Sequence, residues 1–186
     1  RIMTEEDNNL IDKETLKSFD ALHSLLLENI QDVNFLRVEQ EGQLSPVDLI
    51  VRVDKENINN FLMQLRNNSN LSFNYLRCLT GIDYATDGIE IVYQVYSIDN
   101  LFNLTVKSKL SNDDLCIDSA TNVWKGANWY ERETSEMFGV IFNNHPDPRN
   151  LLLPEDMTDV FPLRKSHPLA EIEVLQGEDI EPSGGI

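Results

Sequence analysis

The sequence predicts an α+β domain: an antiparallel sheet with helices on one side, followed by an extended C-terminal arm. Two periodicities and one composition shift predict it. Apolar residues recur at three- and four-residue steps in some stretches, as on a buried helix face, and alternate in others, as on a half-buried strand. Towards the end, Pro146, Pro148, Pro154, Pro162 and Pro168 fall within 23 residues, a density that neither a helix nor a central strand accepts. The 186 residues suit one domain with tails. They divide into a flexible N-terminal arm (1–13), the α+β domain (14–142) and a proline-rich arm ending in an acidic tail (143–186).

The first helix is expected over Glu14–Ile30, where Leu16, Phe19, Leu22/His23, Leu26 and Ile30 form one stripe. His23 lies at its edge and reads as a packed histidine rather than a ligand. Val33–Gln40 and Asp48–Asp54 alternate as strands around a Gly42/Pro46 turn. Asp54 is a candidate N-cap for a helix over 55–67, with Ile58, Phe61, Leu62 and Leu65 on one face. Three strands follow, over 71–85, 89–98 and 101–110, joined at Asp87-Gly88 and at Asp99-Asn100. A last helix is expected over Ser119–Phe138, with Gly139 as its C-cap. Between Ala170 and Ile186 stand five acids and no Lys or Arg.

Charge excludes several functions. Fifteen Lys and Arg against 32 Asp and Glu give a net charge of −17. A nucleic-acid binder needs a basic stripe to replace phosphate counterions, and direct docking on anionic lipid needs basic clusters. The excess acid reads as solubility, or as an acidic face for a basic partner. No run approaches the eighteen or so apolar residues of a membrane span. Cys78 and Cys116 are the two cysteines, expected as buried free thiols. Two thiols fall short of the four thiolates an iron–sulfur cluster takes, and His23, His145 and His167 lack metal-ligand spacing. The chain is expected to hold no cofactor of its own.

Chemistry concentrates in Trp129-Tyr130-Glu131-Arg132-Glu133-Thr134-Ser135-Glu136-Met137-Phe138-Gly139. On a helix, Glu131 and Glu133 point about 200° apart and cannot face one substrate. Glu133 and Glu136 share a face, which reads as solvated or as a docking surface. Glu131 lies on the line of Trp124 and Phe138, against the apolar side, so its carboxylate needs an Arg or backbone N–H partner; Arg149, Arg164 or a neighbouring subunit are candidates. Downstream, His145, Arg149 and Pro162-Leu163-Arg164-Lys165 sit on a stiff apolar and basic ribbon suited to a protein surface. His145 has no Ser or Cys nucleophile in an elbow such as G-x-S-x-G, and there is no phosphate-binding glycine loop.

Residues 124–168 resemble the signature of the thirty-kilodalton (C) subunit family of respiratory complex I and related membrane-bound oxidoreductases. The resemblance rests on Glu131-Arg132-Glu133, Glu136-Met137-Phe138, His145, Arg149, Leu151-Leu152 and Pro162-Leu163-Arg164-Lys165. It implies a cofactor-free scaffold subunit in the hydrophilic arm of a proton-pumping NAD(P)H:quinone oxidoreductase. Such a subunit would itself be non-catalytic. It would dock on the quinone-site subunit and the iron–sulfur subunits, which hold the quinone and the clusters. It would meet the membrane only through the complex, on the cytoplasmic, matrix or stromal side. Arg164 and Lys165 would be interface charges, and Trp124, Trp129, Tyr130 and Phe138 packing anchors. Met157-Thr158-Asp159-Val160-Phe161 makes a longer link than many complex I members have, as in related archaeal enzymes. The equivalent subunit of a membrane-bound nickel–iron hydrogenase or of an F(420)H(2) dehydrogenase is therefore the alternative. A free-standing hydrolase using Glu133, Glu136 or His145 is the remote one.

Overall fold

The computed structural model describes residues 20–30, 37–39, 49–154, 156–157 and 159–167 of the chain. Helix α1 covers 20–29, and Leu22, Leu26 and Ile30 of the expected stripe are buried. Leu16, Phe19, the N-terminal arm, the Gly42/Pro46 turn and the acidic tail lie outside the described residues. Strands β1 (Arg37–Glu39) and β2 (Leu49–Arg52) precede α2 (Ile58–Asn67). Asp54 does not cap α2. Residues 55–57 form a turn in which the Asn57 amide donates to the Asp54 carbonyl, and Asn57 becomes the N-cap without a side-chain bond.

Strands β3 (Tyr75–Asp83), β4 (Ile89–Ser97) and β5 (Phe102–Leu110) form two successive hairpins. Asp87-Gly88 closes the first at the end of a short 3-10 turn, Ala85–Asp87, and Gly88 takes φ +94°. A β-carbon there would stand 2.0 Å from the Leu110 carbonyl oxygen, so only glycine fits. The sheet order is β1-β2-β5-β4-β3. Its pairs are antiparallel except β2 with β5, which run parallel, so the sheet is mixed. Alternation shows which residues share a face but not the direction of the neighbouring strand, which is why the expectation of an antiparallel sheet was too simple.

The α+β class holds, and the core lies on one sheet face. Val51, Val106, Tyr93 and Ile91 of the sheet join one cluster with Leu26 of α1, Phe61 and Leu62 of α2, and Phe138 from the last helix. On the other face, Glu90 is 3% exposed, 3.2 Å from Arg52 Nε and 3.6 Å from Lys107 Nζ.

The last third departs from expectation at its start. Strand β6 (Cys116–Asp118) pairs in parallel with β7 (Ile141–Asn143), and α3 between them covers only Ala127–Phe138. Residues 119–126 turn instead of winding. Trp124 is buried there, its indole N–H donating to the Phe73 carbonyl at 3.1 Å, a tertiary anchor that fixes the turn. Gly139 ends α3 as expected, at φ +72°, with its amide donating to the Ser135 carbonyl. Residues 144–154 and 159–167 contain no helix or strand, as the prolines require. The two cysteines are free thiols, half-buried rather than buried because each sits on a marginal strand of its sheet.

Candidate functional site

Helix α3 packs one side on the sheet through β3, where the Phe138 ring fills the space above Gly81, and Tyr130 donates its hydroxyl to the Arg77 carbonyl. Its opposite side carries the ribbon that follows β7. The signature residues make both attachments.

Glu131 is fully buried. Its Oε1 accepts the Ala120 amide at 2.6 Å and its Oε2 accepts the Ser119 hydroxyl at 2.7 Å. A backbone N–H partner is thus present, but it comes from the turn after β6 and not from the expected Arg149, Arg164 or a neighbouring subunit, because Arg149 is taken by Asp147 and Arg164 by the Phe138 carbonyl. Burial pushes its carboxyl up to about 7 from 4.5, against the opposing pull of the Ser119 and Ala120 bonds. His145 stands 3.8 Å from Oε2. The His145 ring meets the Asn128 carbonyl through Nε2 at 3.1 Å and accepts the Asp147 amide at Nδ1 at 3.0 Å.

Arg132 and Glu136 hold the ribbon by its main chain. The Arg132 guanidinium donates to the carbonyls of Arg149 and Asn150, both at 2.7 Å, and lies 3.7 Å from the Asp147 carboxylate. Glu136 accepts the amides of Leu151, Leu152 and Leu153 at 2.9–3.2 Å. Three convergent N–H groups make a cradle for an anion. They offset the cost of a carboxylate in the last turn of a helix, where the dipole is negative. The expected shared face of Glu133 and Glu136 thus divides: Glu133 is exposed, while Glu136 lies under its own ribbon. Glu136 spends its carboxylate on three amides and both ring nitrogens of His145 are engaged.

At the end of α3, Arg164 Nε donates to the Phe138 carbonyl at 2.6 Å and its guanidinium stacks on the Phe161 ring at 4.6 Å. The Leu163 amide donates to the Met137 carbonyl, and the Lys165 amide to Asp83 Oδ2. Pro162, just before these two returns, is half-buried. Within the chain, Arg164 therefore acts as a cap on the end of α3. Trp124 and Phe138 are likewise core residues, because the sheet already covers them. Trp129 is 68% exposed, and Lys165 and Arg149 face outward, Arg149 pairing with Asp147 at 2.7 Å. Sequence reading missed Ser119, Asn128 and Asp147. Ser119 contributes a hydroxyl, Asn128 a carbonyl, and Asp147 both its amide and the carboxylate that meets Arg132 and Arg149, for which the sequence gives no signal beyond the Pro146-Asp147-Pro148 run.

Among the described residues, no group of three His, Cys, Asp or Glu could hold a metal, and no helix is long and apolar enough to cross a membrane. Residues 51–173 match the family model described as respiratory-chain NADH dehydrogenase, 30 Kd subunit. The chain belongs to this family. Among its relatives, the C subunit of the NADH-quinone oxidoreductase of Geobacter metallireducens is 38% identical over 175 residues, 92% of this chain and 97% of that protein. The C subunit of the F(420)H(2) dehydrogenase of Methanosarcina mazei is 37% identical over 131 residues, 70% and 82% of the two chains. Of solved structures, a chain of the membrane-bound sulfane sulfur reductase, an archaeal respiratory membrane complex, superposes with TM-score 0.69 at 18% identity, covering 91% of this chain and 99% of that one. The trypsin-resistant fragment of Nqo5 gives 0.56 at 24% identity, covering 68% and 98%. Both share the fold. Within the family, then, the signature stretch of this member builds a helix gripped on two sides by its own chain.

Proposed function

We propose that this chain is a non-catalytic, cofactor-free scaffold subunit in the hydrophilic arm of a complex I-type, proton-pumping quinone oxidoreductase. It docks on the quinone-site and iron–sulfur subunits, and meets the membrane only through them, on the cytoplasmic, matrix or stromal side. The observation that carries the reading is the match, nearly end to end, to the C subunit of an NADH-quinone oxidoreductase. The geometry supports it: the signature residues are spent on building a rigid platform. The groups left facing outward, Trp129, Glu133, Leu152 and Lys165, are those a protein surface would use. Two cysteines are too few for a cluster held by this chain alone. The relative in an F(420)H(2) dehydrogenase supports a second reading, the same scaffold role with a different electron donor.

Native electrophoresis of gently solubilised source membranes, with mass spectrometry of each band containing this chain, tests the proposal. Co-migration with iron–sulfur and membrane-pump subunits is expected, and the peripheral partner identifies the donor. Migration alone, at the mass of one or two copies, overturns the scaffold role.

A further inference from the structure

Two titratable side chains meet where α3, β7 and the ribbon converge. Glu131 and His145 are 0% and 3% exposed at the side chain, with Oε2 and Nε2 3.8 Å apart. Both line a cavity of about 190 Å³ that also touches Arg132, Ser135 and Phe142. That is room for several waters.

The hydrogen bonds decide where a proton can sit. Nδ1 of His145 accepts the Asp147 amide, so it carries no hydrogen, and Nε2–H donates to the Asn128 carbonyl. A second ring proton would set Nδ1–H against the Asp147 N–H across 3.0 Å and break the bond that starts the ribbon. Glu131 can take a proton without such a conflict. Oε1 keeps the Ala120 amide, while a protonated Oε2 donates to Ser119 Oγ, whose own hydrogen turns to Thr121 Oγ1, 2.7 Å away.

The surrounding groups favour the neutral acid. From β4, the buried Tyr93 hydroxyl makes no hydrogen bond, and its ionisation is opposed chiefly by its own burial, with Glu131 and Asp118 of β6 adding to it. On α3, the Arg132 guanidinium is drawn outward by the carbonyls of Arg149 and Asn150 and by Asp147. From the ribbon come His145, its proton places already fixed, and the acid Asp147. Burial raises the Glu131 carboxyl in the same direction.

We propose that Glu131 and His145 form a one-proton site in which Glu131 holds the proton, and that the 145–153 ribbon is fastened to α3 while the proton is in place and loosens when it leaves. Ionised Glu131 has two ways to relieve its buried charge. The His145 ring can turn its Nε2–H from the Asn128 carbonyl to the carboxylate 3.8 Å away, which strains the Asp147 bond, or the imidazolium can form, which costs that bond. The leaving proton exits to solvent through the cavity. This equilibrium belongs to the chain itself and does not depend on which complex it serves.

The test uses the full chain. Carboxyl 13C and imidazole 15N shifts followed from about pH 5 to pH 9 are expected to show Glu131 titrating near 7, and the imidazole shifts report whether the Asp147 bond to Nδ1 survives that step. Deuterium exchange of the 145–153 peptide is then compared between wild type and Glu131→Gln, an isostere that keeps both hydrogen bonds. The wild-type-to-variant ratio is expected to rise about tenfold between about pH 6 and pH 8, the linkage of one proton released from the open ribbon but held in the closed one. A Glu131 midpoint below about 5, an imidazolium forming in the same step, or an exchange ratio flat with pH overturns the proposal. The shift measurements need only the wild-type chain, so the outcome stands even if the variant does not fold.

Discussion

Glu136 accepts the amide of Leu152 through both carboxylate oxygens, at 2.9 and 3.2 Å, so one acid on a helix holds the main chain of a segment sixteen residues away. The amides of Leu151 and Leu153 complete the cradle. Glu136→Gln places an amide N–H against these donors and should cost about 2 kcal/mol, the scale of a lost charge-assisted bond with its partner left buried. Urea unfolding should show a lower midpoint at unchanged slope. Limited proteolysis should open a site near 150–154.

Arg164 and Lys165 should separate under charge reversal. Arg164→Glu loses the bond to the Phe138 carbonyl and puts a carboxylate at the negative end of α3. A loss of about 2–3 kcal/mol in thermal or chemical unfolding is expected. The Lys165 side chain is exposed, and Lys165→Glu should change stability by less than about 0.5 kcal/mol. It should nevertheless lower co-migration with the complex, because interface charges set partner choice. Normal assembly of the Lys165 variant would remove that residue from the docking surface.

Stability should have two pH wings of opposite sign. Glu131 is raised from 4.5 to about 7 in the fold, so its contribution is complete below 4.5 and is lost as pH rises through 7. The total is about 3 kcal/mol on the scale of 1.36 kcal/mol per unit. Asp147 is lowered from 3.8 to about 2, chiefly by its hydrogen bonds from Arg149, so its contribution is present above 3.8 and is lost as pH falls through 2. Chemical unfolding between about pH 4 and pH 8 should show stability falling towards the alkaline side. Glu131→Gln should flatten that slope and leave the acid wing in place.

Gly81 tests the contact between α3 and the sheet. A β-carbon on it would lie 2.9 Å from Phe138 Cδ2, in a ring that is itself buried. Gly81→Ala should destabilise by about 1–3 kcal/mol through overpacking. Combining it with Phe138→Leu should recover part of that loss in a double-mutant cycle.

Much of this was legible from residue pattern. The faces of α1 and α2, the strands β3 to β5 and the C-cap at Gly139 follow from local periodicity and turn chemistry, which act within a few residues. Glu131 was legible too: its place on the line of Trp124 and Phe138 implied burial, and burial implied a donor. The failures share a different cause. The turn at 119–126 in place of a helix depends on Trp124 reaching Phe73 and on Glu131 taking Ser119 and Ala120, all set by tertiary contact. The parallel pairing of β2 with β5 depends on chain path. The burial of Glu136 under its own ribbon was not legible because its partners are amides 15 to 17 residues distant in sequence, and nearly every residue type supplies those.

That dependence on the main chain has an evolutionary consequence. Arg132 reads two carbonyls and Glu136 reads three amides, so neither recognises a side chain between Arg149 and Leu153. The ribbon is in effect a rail bolted down by its backbone, whose fittings can be exchanged without moving the rail. Leu152, 63% exposed, is one such fitting. A lineage that changed its neighbouring protein could rewrite these positions one at a time and keep the same trajectory, so partner specificity can drift at little cost to folding.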